Sequence, residues 1–314
     1  AHDVRYFFYN GGNDSMDTAQ KVSLISKDMG YDVTCIGVPK TVDNDLPVTD
    51  NSPGFGSVAK YNAVSVKEAS FDVASMHHDS TKVFVAETMG RHAGWIAAST
   101  AMAGKTEDDG PHIILLPEIA LNEERFLAEV ERVRAKIGYC VIAVSEGLQN
   151  EAGKFVADAG TVDMFGHTQL GGAGDFIANL VKHKLGIKVH NALPDYFQRS
   201  GRHIASKTDL EQAIAVGREA VNLAAAGQNG QMVTIVRESD TPYSWTVGHT
   251  DISNIANKEK VLPPEYIRED GMHITEGFRT YCRPLIEGEL HPEYSEGVPV
   301  YAVLKRNLVA KKLS

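Results

Sequence analysis

Residues 40 to 45, Lys40-Thr41-Val42-Asp43-Asn44-Asp45, bring one amine, one hydroxyl and two carboxylates into a single short segment. The segment follows the apolar run 33–38, which is typical of a buried strand. Phosphoryl transfer to an alcohol needs these groups: a cation to offset charge, a base for the hydroxyl proton and an acid that faces a metal ion. An Asx-rich turn is the structural alternative. The adjacent lysine favours chemistry, because carboxylates this close repel one another unless a cation lies nearby.

A glycine-rich loop, Gly11-Gly12-Asn13-Asp14-Ser15, lies between a predicted strand and a predicted helix. Glycine lets backbone N–H groups approach an oxyanion, and the N-terminus of a helix favours negative charge. The loop therefore suggests a phosphate site, although a tight turn with Asp14 or Ser15 as the helix N-cap fits the same residues. The sequence contains neither the Walker A motif nor the dinucleotide-binding fingerprint.

Two further segments place polar side chains directly after predicted strands. Met89-Gly90-Arg91 follows the strand predicted at 82–87, and Glu146 follows the strand predicted at 140–145. Ligands bind beyond the carboxyl ends of strands in open α/β sheets, and arginine suits bidentate contact with phosphate. Glu146 could bind sugar hydroxyls. The plain alternatives are a surface arginine beside a turn and a capping or solvated carboxylate.

Strand and helix patterns alternate along the chain, which predicts an α/β protein built from βαβ units. The predicted strands are apolar, as in sheets covered on both faces, and lie at 4–9, 33–38, 82–87, 112–116, 140–145 and 231–236. Helices are predicted from 15 toward 29, at 58–69, at 122–137 and from 208 to 227. The last of these begins with the capping-box spacing Thr208-Asp209-Leu210-Glu211, and its predicted buried stripe contains Leu210, Ile214 and Val221.

Composition limits the classes of function that are open to the chain. Of its 314 residues 43% are hydrophobic, which is enough for one large domain or two of ordinary size. The 31 basic and 41 acidic residues give a net charge of −10, which argues against general binding to nucleic acid or membranes. Any phosphate-bearing substrate must be held by a local cluster of cations. The 3 widely spaced cysteines and the absence of a bilayer-length apolar run lead us to expect a cytoplasmic protein.

Together, these segments resemble the phosphofructokinase family, and the resemblance covers nearly all of the chain. The loop 11–15 resembles its phosphoryl-donor loop, residues 39–46 its catalytic segment, Met-Gly-Arg and Glu-Gly its sugar-phosphate contacts, and Tyr196-Phe197-Gln198-Arg199-Ser200 its later phosphate-binding segment. Asp14 and Lys40 resemble the pyrophosphate-dependent branch, because ATP-dependent members typically carry glycine at both positions. The resemblance implies reversible transfer of a phosphoryl group from pyrophosphate to the 1-hydroxyl of fructose 6-phosphate, which gives fructose 1,6-bisphosphate and phosphate.

The resemblance also implies roles for individual residues. Asp43 is the general base, Thr41 contacts the transferring phosphoryl group, and Lys40 and Arg91 stabilise charge in the transition state. The residues implied to bind fructose 6-phosphate are Met89, Gly90, Arg91, Glu146, Tyr196, Arg199 and, from a neighbouring subunit, Lys82. Those implied to bind pyrophosphate are Gly11, Gly12, Asn13, Asp14, Ser15 and Lys40. Mg²⁺ is the implied cofactor, with Asn13 and Asp45 as the residues that face it.

The implied fold consists of two interleaved Rossmann-like domains of three layers each. Residues 1–54 and 201–314 form the donor domain, and the inserted residues 55–200 form the domain that binds fructose 6-phosphate. The family's opening βαβ portion does not precede Ala1, so we expect the N-terminal portion of the fold to be missing from this chain. Because the family counterpart of Lys82 reaches across a subunit boundary, the resemblance implies a homodimer or homotetramer.

Two other functions remain open at this stage. One is an ATP-dependent 6-phosphofructokinase, against which Asp14 and Lys40 argue. The other is a non-catalytic subunit that binds sugar phosphate and regulates a partner. A subunit of that kind would not need a base at Asp43, and the retained catalytic segment therefore argues against it.

Replacing Asp14 and Lys40 together with glycine is expected to raise kcat/KM with ATP relative to kcat/KM with pyrophosphate. The carboxylate of Asp14 adds bulk and negative charge where the α-phosphate of a nucleotide would lie. Lys40 instead neutralises part of a compact pyrophosphate as a point charge. Steady-state assays with each donor measure the ratio. An unaltered protein that already prefers ATP would show that the steric argument is wrong.

Overall fold

The computed structural model describes residues 2–162, 168–170 and 172–310. Its helices are α1 (Asn13–Asp28), α2 (Phe55–Met76), α3 (Trp95–Ser99), α4 (Glu123–Ile137), α5 (Ala173–Leu185), α6 (Tyr196–Ser200), α7 (Lys207–Ala225) and α8 (Glu276–Cys282). Its strands are β1 (Tyr6–Gly11), β2 (Thr34–Pro39), β3 (Val83–Thr88), β4 (Ile113–Leu115), β5 (Cys140–Ser145), β6 (Asp158–Val162), β7 (Thr168–Leu170), β8 (Val189–Ala192), β9 (Gln231–Asp240), β10 (Tyr243–Asp251), β11 (Tyr294–Ser295) and β12 (Val298–Pro299). Among the described helices, none combines the length and apolarity that a membrane span requires.

The first sheet has the strand order β1-β2-β9-β10. The first three strands are parallel, and β10 returns antiparallel to β9. Alternate residues of a strand point to opposite faces, and the two faces are covered by different helices. Ile36 and Val233 pack against Val216 of α7, whereas Met232 packs against Met16 of α1. This sheet therefore lies between two helical layers.

The second sheet is entirely parallel and has the order β4-β5-β3-β8. Ile142 packs in one buried cluster with α4 and α5, and its neighbour Ala143 packs in another cluster with α2 and α3. The apolar runs thus correctly predict strands with both faces covered. The α/β fold class is confirmed. The division of the chain at residues 54/55 and 200/201 stays a prediction.

Strand β1 differs from its prediction as a buried strand. It lies at the edge of the described sheet, and Tyr6 and Phe8 are 56% and 39% exposed. Phe7 and Tyr9 point to the other face and pack on the cluster that contains Met16. Helix α1 thus covers one face of β1, and apolar residue types alone do not reveal that the other face is exposed.

The amphipathic pattern correctly predicts α4. Asn122 caps this helix, because its side chain accepts a hydrogen bond from Arg125 N at 3.0 Å. Phe126, Val130 and Val133 form the buried stripe. The helix therefore packs on the second sheet as its periodicity indicates.

The prediction for α7 is wrong in two respects. Its N-cap is Ser206, whose hydroxyl accepts from Asp209 N at 3.3 Å, and not Thr208. Ile214 and Val221 are 59% and 56% exposed, and the buried face contains Gln212, Val216, Ala220 and Leu223. Alanine and valine occur on several faces of this helix, so sequence periodicity does not single out the buried one.

Ser206→Ala is expected to lower the free energy of unfolding by about 2 kcal/mol, because it removes the α7 cap and a buried hydroxyl. That hydroxyl also donates to Leu285 O at 2.7 Å. Thr208→Ala is the matched control and should cost about 0.5 kcal/mol or less. Urea denaturation measures both variants. Equal losses would contradict the assignment of the cap.

Candidate active site

A cleft of about 730 Å³ lies beyond the carboxyl ends of β1, β2, β3 and β5. Both sheets therefore contribute to it, as expected for ligand sites in open α/β structures. The sequence-predicted site residues that line the cleft are Gly12, Asn13, Asp14, Ser15, Thr41, Asp43, Asp45, Met89, Arg91, Glu146 and Arg199. Five segments that are separate in sequence thus meet in one cavity.

The glycine-rich loop brings the N-terminus of α1 to the cleft. Gly12 is the N-cap and no side chain caps the helix, so the interpretation of Asp14 or Ser15 as N-cap is wrong. A Cβ atom on Gly11 would lie 1.9 Å from Ser15 Oγ, so only glycine fits there. The first turn of α1 lines the cleft, and its N-terminal dipole favours an anion at that end.

The catalytic segment after β2 is held by its own polar groups and by distant ones. Asp43 N donates to Thr41 Oγ1 at 3.1 Å. Asn44 is fully buried with a φ of +56°, in the left-handed region that asparagine tolerates. Its amide donates to Tyr281 Oη at 2.9 Å and accepts from Ser52 N at 3.0 Å. The acceptor inside this turn is thus the Thr41 hydroxyl, and the chemical role of the segment stays a prediction.

Asp43 has a strongly perturbed acidity. Burial, helped by the negative charges of Asp45 and Glu146, raises the pKa of Asp43 to about 7. The positive charge of Lys40 and the hydroxyl of Thr41 act in the opposite direction. A carboxylate with a pKa near the working pH is suited to both accepting and donating a proton.

Asp45 lies deeper in the same segment. Its Oδ1 is buried and accepts no hydrogen bond from any described residue. Burial raises the pKa of Asp45, the charge of Glu259 raises it further, and Lys260 and His92 oppose the shift. Burying a carboxylate oxygen without a hydrogen-bond donor costs free energy, and coordination of a metal ion would offset that cost.

The opposite wall of the cleft carries the predicted sugar contacts. Gly90 N donates to Glu146 Oε1 at 3.2 Å, and a Cβ on Gly147 would lie 1.9 Å from Arg91 O, so glycine permits this close approach. Burial raises the pKa of Glu146, while the Gly90 N–H and Arg91 oppose the shift. The guanidinium of Arg199 lies 4.1 Å from the centre of the Tyr196 ring.

Gln198 fixes the helix that carries Arg199. It is buried, and its Oε1 accepts from Met89 N at 3.2 Å and from Asn62 Nδ2 at 3.1 Å. The bond to Met89 ties α6 to the segment after β3. The placement of Arg199 beside Met89 and Arg91 thus depends on a buried amide between them.

Five of the predicted site residues do not line the cleft: Gly11, Lys40, Lys82, Gly90 and Tyr196. The two glycines shape the backbone beside it, Tyr196 supports Arg199, and Lys40 is exposed near Asp43. Lys82 lies at the other end of β3, where its ammonium donates to His78 O at 2.6 Å and to His77 O. A six-residue strand, roughly 20 Å long, therefore separates Lys82 from this cleft.

Sequence reasoning missed three residues that line the cleft: His92, Asn257 and Glu259. His92 directly follows Arg91, so its position beside a motif was an available signal. Asn257 and Glu259 lie in a region with little periodicity, and no local pattern links them to the donor loop. The link is the hydrogen bond from Asn257 N to Asn13 Oδ1, at 2.5 Å. It engages the side chain of Asn13, which leaves Asp45 as the better placed of the two predicted metal ligands.

The cleft is electrostatically unusual for an anion site. Its lining includes five carboxylates, from Asp14, Asp43, Asp45, Glu146 and Glu259, and two guanidinium groups, from Arg91 and Arg199. Within the described residues, no three His, Cys, Asp or Glu side chains come together as a ready-made metal site. Mg²⁺ commonly takes only one or two protein carboxylates and completes its shell with substrate phosphates and water. The residues present therefore fit a metal ion that arrives with an anionic substrate.

Comparison with known proteins points to one family. The sequence profile of the family described as Phosphofructokinase matches residues 1–224. A relative from Halomonas elongata, named pyrophosphate–fructose 6-phosphate 1-phosphotransferase, is 57% identical over 313 residues. That match covers 100% of this chain and 75% of the relative.

Solved structures show the same similarity. A pyrophosphate-dependent phosphofructokinase from Marinobacter aquaeolei superposes with a TM-score of 0.91 at 52% identity, and one from Nitrosospira multiformis with 0.92 at 53%. Each match covers 100% of this chain and 75% of the other.

The carboxyl group of Asp43 is expected to titrate at about 7 in the metal-free protein, as measured by ¹³C NMR of labelled carboxyl groups. Glu146→Gln should lower this pKa, because it removes a negative charge, and Lys40→Met should raise it, because it removes a positive charge. The two substitutions serve as controls for one another. Shifts of the same sign in both variants would contradict the electrostatic assignment.

Proposed function

This chain belongs to the phosphofructokinase family, in its pyrophosphate-dependent branch, and we propose that it transfers a phosphoryl group reversibly from pyrophosphate to the 1-hydroxyl of fructose 6-phosphate. The observation that carries the proposal is the meeting of Asp43 with the donor loop and the sugar segment in one cleft. Phosphoryl transfer is catalysed mainly by positioning and by electrostatic stabilisation, and such a meeting supplies both.

Asp43 acts as the general base. In the forward direction its carboxylate accepts the proton of the sugar 1-hydroxyl as that oxygen attacks phosphorus, and in the reverse direction its carboxylic acid returns the proton. A pKa of about 7 supports this role, because both protonation states are populated near neutral pH. The forward rate should therefore rise as the pH increases through this range.

The donor side consists of the α1 N-terminus, Asp14 and Lys40. Backbone N–H groups of the first turn bind the distal phosphate, and Lys40 reaches over it from the exposed rim. Asp14 lines the cleft and excludes the longer, more negatively charged tail of a nucleotide. This preference agrees with the names of the most similar relatives, which specify pyrophosphate.

Mg²⁺ is the cofactor of the proposed reaction, and Asp45 is the residue that would hold it. The metal would neutralise phosphate oxygens and offset the charge that develops during transfer. Thr41 contacts the transferring group, and Arg91 stabilises its negative charge from the sugar side. The excess of carboxylates in the cleft supports pyrophosphate binding as a metal complex, since the free tetra-anion would be repelled.

The sugar lies against Met89, Gly90 and Glu146, with Arg199 binding the 6-phosphate. Glu146 is already positioned by Gly90 N and accepts hydrogen bonds from sugar hydroxyls through its other oxygen. Lys82 serves the site of a neighbouring copy in a homodimer or homotetramer. The distance of Lys82 from its own cleft supports this part of the proposal.

Asp43→Ser is expected to abolish measurable turnover, because loss of a general base alone lowers the rate by about 10²- to 10⁴-fold. Binding of fructose 6-phosphate, measured by calorimetry, should remain close to that of the unaltered protein, because Arg91, Glu146 and Arg199 are unchanged. The assay follows formation of fructose 1,6-bisphosphate from pyrophosphate and fructose 6-phosphate. Near-normal kcat in this variant would remove Asp43 from the mechanism.

A further inference from the structure

A segment without helix or strand, residues 257–262, joins the parts of the active site, and we call it the strap. Its first contact is with the donor loop. Asn257 N donates to Asn13 Oδ1 at 2.5 Å, and Asn13 Nδ2 donates to Lys258 O. Asn257 has a φ of +60°, which a non-glycine residue adopts at a local energetic cost. The strap is thus held in a specific conformation against the N-terminus of α1.

The second contact is with the catalytic segment and the loop that follows it, and Lys260 makes its hydrogen bonds. Lys260 N donates to Asp45 O at 2.7 Å. The ammonium of the same residue donates to Asp50 O at 2.8 Å and to Thr49 O at 3.1 Å. Lys260 is therefore hydrogen-bonded to both ends of the loop from Asp45 to Asp50.

The third contact is with residues behind the predicted sugar segment. Trp95 Nε1 donates to Lys260 O at 2.9 Å, and the Lys260 ammonium lies 5.1 Å from the centre of a Trp95 ring. Two residues later, Leu262 N donates to Glu118 Oε1 at 2.9 Å, and the same oxygen accepts from Gly94 N at 2.8 Å. Gly94 and Trp95 directly follow the segment that contains Arg91.

The chemistry of Lys260 argues for a role beyond filling space. Burying an ammonium costs free energy that an apolar side chain of the same length would not cost. In return, the ammonium bonds two carbonyl groups of a loop whose far end is also tied to β9, where Asp50 N donates to Ile235 O at 2.9 Å. Rigid placement of the loop matters for Asp43 and Asp45, because misplacement of reacting groups by 1 Å can cost about 10²-fold in rate.

We propose that Lys260 is a positioning residue for phosphoryl transfer, which fixes the Asp45–Asp50 loop relative to Trp95 and the sugar segment. The proposal rests on the function proposed above. Lys260 does not touch substrate. It acts through the backbone carbonyl groups of the loop and through Trp95, so its loss should impair the chemical step more than the binding of sugar.

Lys260→Met tests the proposal, because it removes the ammonium and keeps an unbranched side chain against Trp95. We expect kcat to fall by about 10- to 100-fold while KM for fructose 6-phosphate changes by less than about threefold. Turnover is expressed per sugar-binding site counted by calorimetry, so that a smaller folded fraction does not imitate the effect.

Lys60→Met is the matched control. Lys60 is a buried lysine whose ammonium also bonds a backbone carbonyl, and it donates to Gly288 O at 2.7 Å and to Glu289 at 2.7 Å. It does not line the cleft. Its replacement should lower stability and leave kcat per site unchanged.

Trp95→Phe is the second test, because it removes the Nε1 donor and keeps an aromatic ring. It should lower kcat by a smaller factor, and the losses of the two single variants should not multiply in the double variant, since both loosen the attachment of the same residue, Lys260. This variant decides the question if Lys260→Met does not fold.

The proposal is wrong if Lys260→Met has a kcat per site near that of the unaltered protein. It is also wrong if Lys60→Met loses as much kcat as Lys260→Met does. If Lys260→Met does not fold, an unchanged kcat in Trp95→Phe would overturn the proposal. Failure of the underlying function looks different. In that case the unaltered protein itself forms no fructose 1,6-bisphosphate from pyrophosphate.

Discussion

Compensation of negative charge is the constraint on which the rest of this structure depends. Burial, together with the carboxylates beside Asp43, raises its pKa to about 7, which suits the role of base that we propose for it. The same carboxylates repel a substrate made of phosphate. The compensating charges lie around the cleft in Arg91, Arg199 and the α1 N-terminus. In the proposed mechanism, the remainder comes from the metal ion that accompanies pyrophosphate.

This balance requires a rigid frame, since charge interactions inside a protein change steeply with distance. The frame is built largely from buried polar side chains. Asn44 ties the catalytic segment to Tyr281, and Asp209 accepts from Gly54 N at 2.9 Å and Ser57 N at 3.2 Å, which anchors the start of α2. Each of these groups is satisfied by a partner far away in sequence. These hydrogen bonds therefore form only in the complete tertiary structure, because no single segment contains both partners.

Local patterns predicted those parts of the site that lie directly after strands. The donor loop, the catalytic segment, Arg91 and Glu146 each follow an apolar run, and the ends of parallel strands converge by the geometry of the fold. Prediction failed where the sequence leaves alternatives nearly equal. In α7, small apolar residues occur on several faces, so periodicity does not identify the buried stripe. In β1, the aromatic residue types do not indicate that Tyr6 and Phe8 are exposed.

The sequence by itself determined the α/β class and which side chains are available for chemistry, because side-chain types and their spacing beside strands are local properties. The tertiary structure alone decided which groups act together. It brought Asn257 and Glu259 into the cleft, set Lys260 against Asp45 and Trp95, and placed Lys82 away from its own site. These contacts join residues from distant parts of the chain, and their free energy appears only when long-range packing removes water from both partners.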